Sequence, residues 1–309
     1  AGADAVKLQT FTPDTMTIKN KKKYFKIQDG IWKGESLWNL YEKAQTPYKW
    51  HKHLFDYAKK IGIKCFSTPF DETAVDFLET LNCPIYKIAS FEMLDLPLIK
   101  KVAKTNKPII ISTGMANLKE IETAYNYAKK NGAKDIALLY CVSNYPSKDT
   151  DFNLNNIKIL KNKFKCTIGL SDHSLNDLIA FSAVSAGAEI VEKHIALSNQ
   201  KKGLDIKFSL KGNEVKSFST KIKLAKKLLG NKYFDRVKTE TKSKKFRRSI
   251  FAIKDIKKGE KFTKLNVKKI RPGYGLSPIY YNKILNKKSP SDLKEGDPLT
   301  KKNLKGLKF

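Results

Sequence analysis

No apolar run in this 309-residue chain approaches the ~20 residues needed to cross a bilayer. The chain opens on Ala1-Gly2-Ala3-Asp4, where a signal peptide would place basic residues and then an apolar stretch. Cysteine is scarce. Cys65, Cys83, Cys141 and Cys166 form no CxxC pair, and three of them lie in or beside apolar runs. Reduced core cysteines in a cytoplasmic protein are therefore expected. Also missing is any recognisable nucleic-acid motif, although the formal net charge is +31. The lysines fall singly and in short runs along the whole length, as on a generally basic surface, and a positive field also draws in small anionic substrates. Neither a membrane nor a nucleic acid is expected as a partner.

What the chain does have is a repeat. Apolar strand candidates occupy residues 3–10, 63–68, 85–90, 108–113, 136–143, 166–171 and 189–194, each followed by a helical pattern. From Thr68 the polar strand ends fall at Ser90, Ser112, Ser143, Ser171 and His194, at steps of 22, 22, 31, 28 and 23 residues. That is the length of a strand, a helix and two short loops. Helices are predicted over 71–81, 117–133 and 175–188. Near-continuous apolar strands alternating with helices imply a parallel sheet covered on both faces. Seven strands fall one short of a closed (β/α)8 TIM barrel. The expected fold is that barrel with its first βα unit absent from this sequence, and an open doubly wound sheet is the alternative.

Every strand ends in a polar or ionisable group: Gln9-Thr10, Ser67-Thr68, Ser90, Ser112-Thr113, Ser143-Asn144, Ser171-Asp172-His173 and His194. Lys7 and Lys87 sit inside otherwise apolar strands. Any one of these residues alone reads as well as a turn or cap. Together, on a barrel, they converge on the rim where barrel active sites are built. Hydroxyls with two lysines suit a phosphate and a carboxylate. His173 and His194, on adjacent strand ends, suit a divalent metal with open coordination places. Nitrogen and oxygen ligation leaves Mn, Mg, Zn and Fe all open. His51 and His53 are expected on a solvent-facing helix, outside the chemistry.

The motifs GADAVKLQT, FSTPFD, YKIASFE, IISTGMA, GLSDHS and VEKH, in this order, resemble the sialic-acid synthase family, whose members condense phosphoenolpyruvate with an N-acylated amino sugar. The resemblance spans nearly the whole chain. The stretch from Arg247, with IRPGYG, resembles the family's C-terminal SAF (antifreeze-like) domain. It implies a barrel over 1–235, a linker over 236–246 and a SAF domain over 247–309. Residues 32–55, the KIASFE form of the lysine strand and CVSNYP look closest to the pseudaminic acid branch, whose sugar is 2,4-diacetamido-2,4,6-trideoxy-L-altrose.

Site roles follow from the resemblance, position by position. It implies that His173 and His194 bind the divalent metal, with Mn or Mg favoured. Lys7, Lys87, Thr68, Ser90, Ser112 and Ser171 match positions that hold phosphoenolpyruvate, and Gln9, Tyr145 and Asp205 match positions that touch the sugar. Lys87 and Glu92 are the catalytic candidates. Glu92 reads equally as the base for water attack and as a carboxylate at a helix start. Arg271 matches the SAF arginine that reaches the sugar of the other subunit, which implies a domain-swapped homodimer; a structural salt bridge is its other reading. Two departures stand out. The family's segment with a site-facing glutamate would lie in the absent first unit, and Ser143 replaces the asparagine typical of the neuraminate branch.

Overall fold

The apolar runs become seven strands: β1 (Ala5–Thr10), β2 (Lys64–Pro69), β3 (Tyr86–Ile88), β4 (Ile109–Ser112), β5 (Ile136–Cys141), β6 (Thr167–Asp172) and β7 (Ile190–Lys193). They are seen in a computed structural model that describes residues 1–230, 234 and 237–307. The strands pair in parallel, in unbroken chain order from β1 to β7. A doubly wound sheet reverses its order at a switch point, whereas sequential order is the progression of a (β/α) barrel. The sheet is thus a curled, TIM-like partial barrel, and the doubly wound alternative is excluded. Among the described residues β1 and β7 each have one neighbour.

Local chemistry sets the helices between the strands. Asp71 caps Glu72–Thr80 by accepting from the backbone N–H groups of Thr73 and Ala74. Asn117 and Glu120 close a reciprocal capping box at the start of Leu118–Lys130. Asp177–Ala186 ends at Gly187, whose φ of 110° suits glycine. Ile88, Ile111, Leu138, Ile168 and Leu170 from the sheet pack against Leu78 and Ile121 from these helices, and against Ile99 of helix Leu96–Ala103 and Ile157 of helix Asn155–Phe164, in one apolar cluster. Burial of this kind is the main term holding a fold together.

Where the strands meet the site, the backbone approaches closely. A Cβ on Gly169 in β6 would lie 2.5 Å from the Ile190 carbonyl and 2.6 Å from Leu139, so only glycine lets β6 and β7 close up here. On the far side of the same pair, Lys193 Nζ donates to Asp172 Oδ2 at 2.6 Å, with both side chains buried. Past β7, the short strands β8 (Ile195–Ala196) and β9 (Leu210–Lys211) pair in parallel and bracket the loop that carries Asp205.

The helix Tyr48–Lys60 corrects one expectation. His53 is exposed, but His51 is fully buried. Its Nδ1 faces the Pro47 carbonyl at 3.2 Å and its Nε2 lies 2.8 Å from Thr10 Oγ1, which in turn lies 2.6 Å from Ser67 Oγ. A carbonyl can only accept, so Nδ1 carries the proton and Thr10 donates to Nε2. The helix is thereby latched to the ends of β1 and β2.

The chain divides into two compact units, Ala1–Gly230 and Asn231–Phe309. In the second, β10 (Ser249–Ala252) and β11 (Val267–Ile270) pair antiparallel. Isolated bridges join Phe251 to Pro298, Ile256 to Leu293 and Lys261 to Lys288. Its core is separate, built on Ile250, Phe262, Val267, Ile284 and Leu299. Of the segment expected as a linker, Lys238–Thr241 is a helical turn and Lys242–Phe246 a 3-10 turn. The expected boundary at 235–236 and the last two residues lie outside the described residues.

Candidate active site

Two lysines placed inside apolar strands need a counter-charge, and β7 supplies one. Lys7 Nζ lies 3.0 Å from Glu192 Oε2, and Lys87 Nζ lies 3.5 Å from Glu192 Oε1. Ser171 Oγ donates to Oε1 at 2.8 Å, because the β6–β7 register sets Ser171 opposite Glu192. Three predicted phosphoenolpyruvate contacts therefore gather on one carboxylate. Burial would push the Glu192 carboxyl up, but the Lys7 and Lys87 ammoniums outweigh it and hold it well below the usual carboxylate range. Lys87 is 2% exposed, and burial pushes its ammonium down to about 8 against the pull of Glu192.

Beside this cluster are polar atoms without partners. The hydroxyls of Thr68 and Ser112, at 1% and 2% exposure, have no hydrogen-bond partner, and neither does Oε2 of Glu92. Buried polar groups are nearly always satisfied, so these strand-end hydroxyls are free to bond to a bound molecule. Ser90 Oγ accepts from the Gly114 N–H at 3.0 Å. Gly114 leaves no room for a side chain, since a Cβ would run into Ser143 Oγ and sit 2.8 Å from Ser90 Oγ. Glu92, in the 3-10 turn Ser90–Glu92, is pushed up to about 7 by burial, despite its backbone hydrogen bond and the Lys87 charge. It can therefore exchange a proton near neutral pH.

The two histidines end β6 and β7 side by side, with ring centroids 5.4 Å apart. His173 Nδ1 lies 3.1 Å from the Val142 carbonyl, and His194 Nδ1 lies 3.3 Å from Asp205 Oδ2. Each acceptor keeps the proton on Nδ1 and leaves the Nε2 lone pair available. Such a donor set fits a divalent cation. Among the described residues no third His, Cys, Asp or Glu joins them, so within these residues the two imidazoles are the candidate ligands.

Around the histidines stand three aromatic rings. Tyr145 lies 4.4 Å from His173, Phe208 lies 5.1 Å from His194, and Trp32 lies 6.0 Å from Tyr145. Burial raises the Tyr145 hydroxyl, and the charges of Cys141, Asp205, Glu192 and Glu92 raise it further, so it stays a neutral donor. Gln9 and Asp205 line one cavity of about 630 Å³ with Lys43, Gln200, Lys202 and Ser209. The volume suits a hexose-sized ligand.

The first unit thus brings together all the predicted barrel residues: Lys7, Lys87 and Ser171 on Glu192; Thr68, Ser90, Ser112 and Glu92 at the next strand ends; His173, His194, Tyr145, Asp205 and Gln9 on the β6–β8 side. Arg271 belongs to the second unit. Glu192, Phe208 and Trp32 were not predicted. Glu192 sits in the quoted VEKH motif, and its signal was a lone acid in a strand two residues before a candidate ligand.

The model of the NeuB family matches residues 1–233, and that of the SAF domain matches residues 247–305. A pseudaminic acid synthase of Helicobacter pylori is 44% identical, covering 97% of this chain and 88% of that protein. A pseudaminic acid synthase of Campylobacter jejuni is 43% identical, over 97% of this chain and 87% of its own. Among solved structures, an N-acetylneuraminic acid synthetase of Leptospira borgpetersenii superimposes with a TM-score of 0.69 at 32% identity, covering 78% of this chain and 79% of that one.

Proposed function

We propose that this chain, which belongs to the NeuB family and carries a SAF domain, is a pseudaminic acid synthase. It condenses phosphoenolpyruvate with 2,4-diacetamido-2,4,6-trideoxy-L-altrose and releases phosphate. The observation that carries the reading is the set of orphaned hydroxyls, Thr68 and Ser112, beside two lysines sharing one carboxylate. An anion bearing phosphate and carboxylate gives those groups their partners.

In the reaction, C3 of phosphoenolpyruvate attacks the sugar's aldehyde carbon, and the aldehyde oxygen gains a proton to become a hydroxyl. Positive charge develops at C2. Water adds there, giving up a proton to Glu92, and the tetrahedral intermediate expels phosphate by C–O cleavage. Lys7 and Lys87 balance the charge of phosphoenolpyruvate, while Ser90, Ser112, Thr68 and Ser171 orient it. Lys87, desolvated between strands, keeps its charge aimed at the reacting end. Gln9, Tyr145 and Asp205 hold the sugar, with Trp32 and Phe208 closing the wall behind it. His173 and His194 would hold Mn or Mg, which as a Lewis acid would polarise the aldehyde. The reading includes a domain-swapped homodimer in which Arg271 reaches the partner's sugar. It also places the enzyme in the cytoplasm, in keeping with four free cysteines and a substrate drawn from central metabolism.

The test is phosphate release with phosphoenolpyruvate, Mn and a panel of acetamido sugars. Release with the altrose sugar alone, lost in His173→Ala, is expected. Release only with N-acetylmannosamine would overturn the choice of sugar.

A further inference from the structure

One buried ion pair beside the site has no part in the reaction as written. The β6–β7 register pairs Ser171 with Glu192 and, one step on, Asp172 with Lys193. Successive side chains of a strand point to opposite faces. Ser171 and Glu192 meet on the face where Lys7 and Lys87 gather, so Asp172 and Lys193 meet behind it. His173 and His194 follow them directly in sequence, and their rings stand side by side.

The pair closes around the backbone of His173. Lys193 Nζ donates to Asp172 Oδ2 at 2.6 Å and to the Ser174 carbonyl at 2.8 Å, while Asp172 Oδ1 accepts from the Ser174 N–H at 2.8 Å. Both neighbours of His173 in the chain are thus tied to the residue that precedes His194. Asp172 is fully buried, and the Lys193 side chain is 7% exposed. Lys193 Nζ lies 5.9 Å from the centre of the Phe218 ring, which belongs to an apolar cluster with Ala180, Leu210 and Val215.

Stability alone does not account for such a pair. A buried ion pair gives up much of its attraction in lost hydration, and apolar residues of similar size often pack there as well. Two opposite charges do fix register. β7 is four residues long, and among the described residues β6 is its one neighbour. A slip of one residue would turn every β7 side chain to the other face. Lys193 would then meet Lys7 and Lys87, Glu192 would leave the site, and Asp172 would lose its cation. Holding the register holds the two histidines at one spacing.

We propose that Asp172 and Lys193 are positioning residues for the metal site, a clamp on the face away from the chemistry that fixes the spacing and aim of His173 and His194. The proposal rests on the reading of those histidines as metal ligands.

Removing one charge strands the other in the interior and threatens folding. The test therefore uses the full chain carrying Asp172→Asn and Lys193→Met together, which nearly keeps both shapes and removes both charges. Mn(II) is titrated without substrates, free Mn is read by electron paramagnetic resonance, and His173→Ala marks the loss of a ligand. The double variant should melt close to the wild type by circular dichroism. It should bind Mn about tenfold more weakly, as when groups that orient metal ligands are lost. At saturating Mn its KM for phosphoenolpyruvate should change little, because Ser171, Lys7 and Lys87 still hold Glu192. Wild-type Mn affinity in the folded double variant would overturn the clamp and leave the metal reading intact. A rise in that KM as large as the loss of Mn affinity would mean general loosening, and would also overturn it. A wild-type chain that takes up no Mn would overturn the metal reading itself, and this proposal with it.

Discussion

Lys7 and Glu192 form an ion pair of 3.0 Å across the barrel, although β1 and β7 are the two ends of the sheet order. Glu192 also faces Lys87 from β3, so a single carboxylate sets the charge and aim of both lysines. Glu192→Gln should leave the KM for phosphoenolpyruvate no higher, because the anion loses a competitor for the lysines. Its kcat should fall about a hundredfold as Lys87 loses its orientation. Steady-state kinetics, with circular dichroism to confirm folding, separates the two effects.

The pH profile follows from Glu92 and Lys87. Glu92, raised to about 7, must lose its proton to accept one from water, so kcat/KM rises as pH passes upward through 7. Lys87, lowered to about 8, must keep its proton, so kcat/KM falls above 8. A narrow bell is expected. Glu92→Gln should remove the acidic limb and lower the plateau, and a limb that persists in this variant would reassign the base.

Gly114→Ala tests the hydroxyl cradle. The new Cβ collides with Ser143 Oγ and crowds Ser90 Oγ, so both hydroxyls must move. Overpacking of this kind costs ~1–3 kcal/mol. The KM for phosphoenolpyruvate should rise about tenfold, a distortion that costs ~1.4 kcal/mol of binding. Urea denaturation and initial-rate kinetics read the two consequences.

His51 lends the fold a pH dependence. Burial lowers its pKa below the ordinary 6.5, against the hydrogen bonds to Pro47 and Tyr48. The unfolded chain takes up a proton near pH 6.5 that the folded chain resists, so stability present above that pH is lost as pH falls. His51→Ala should remove this dependence. It also leaves Thr10 without its acceptor, at a cost of ~1–3 kcal/mol. Denaturation midpoints of both proteins between pH 5 and 8 check the sign.

The barrel order was legible because each strand is a continuous apolar run ending in a polar residue, at nearly constant steps. That same continuity concealed Glu192. With all four residues of β7 half-buried, there is no alternation to reveal which way a side chain points, so its role emerged only from the register opposite Ser171. His51 was misjudged from its polar neighbours in KWHKHLF, yet it shares a helical face with Leu54, Phe55 and Ala58, a spacing that favours burial. Phe208 reaches the histidines, and Trp32 reaches Tyr145 and Phe208, from segments outside the barrel strands, and local pattern carries no information on such contacts.

The most direct measurement uses phosphoenolpyruvate labelled with 18O at the oxygen bridging C2 and phosphorus, together with the altrose sugar and Mn. Mass spectrometry of both products follows the label. A pseudaminic acid synthase acting by C–O cleavage puts the label in phosphate and yields an unlabelled nine-carbon acid. Label retained in the acid, or no acid formed, would contradict the account.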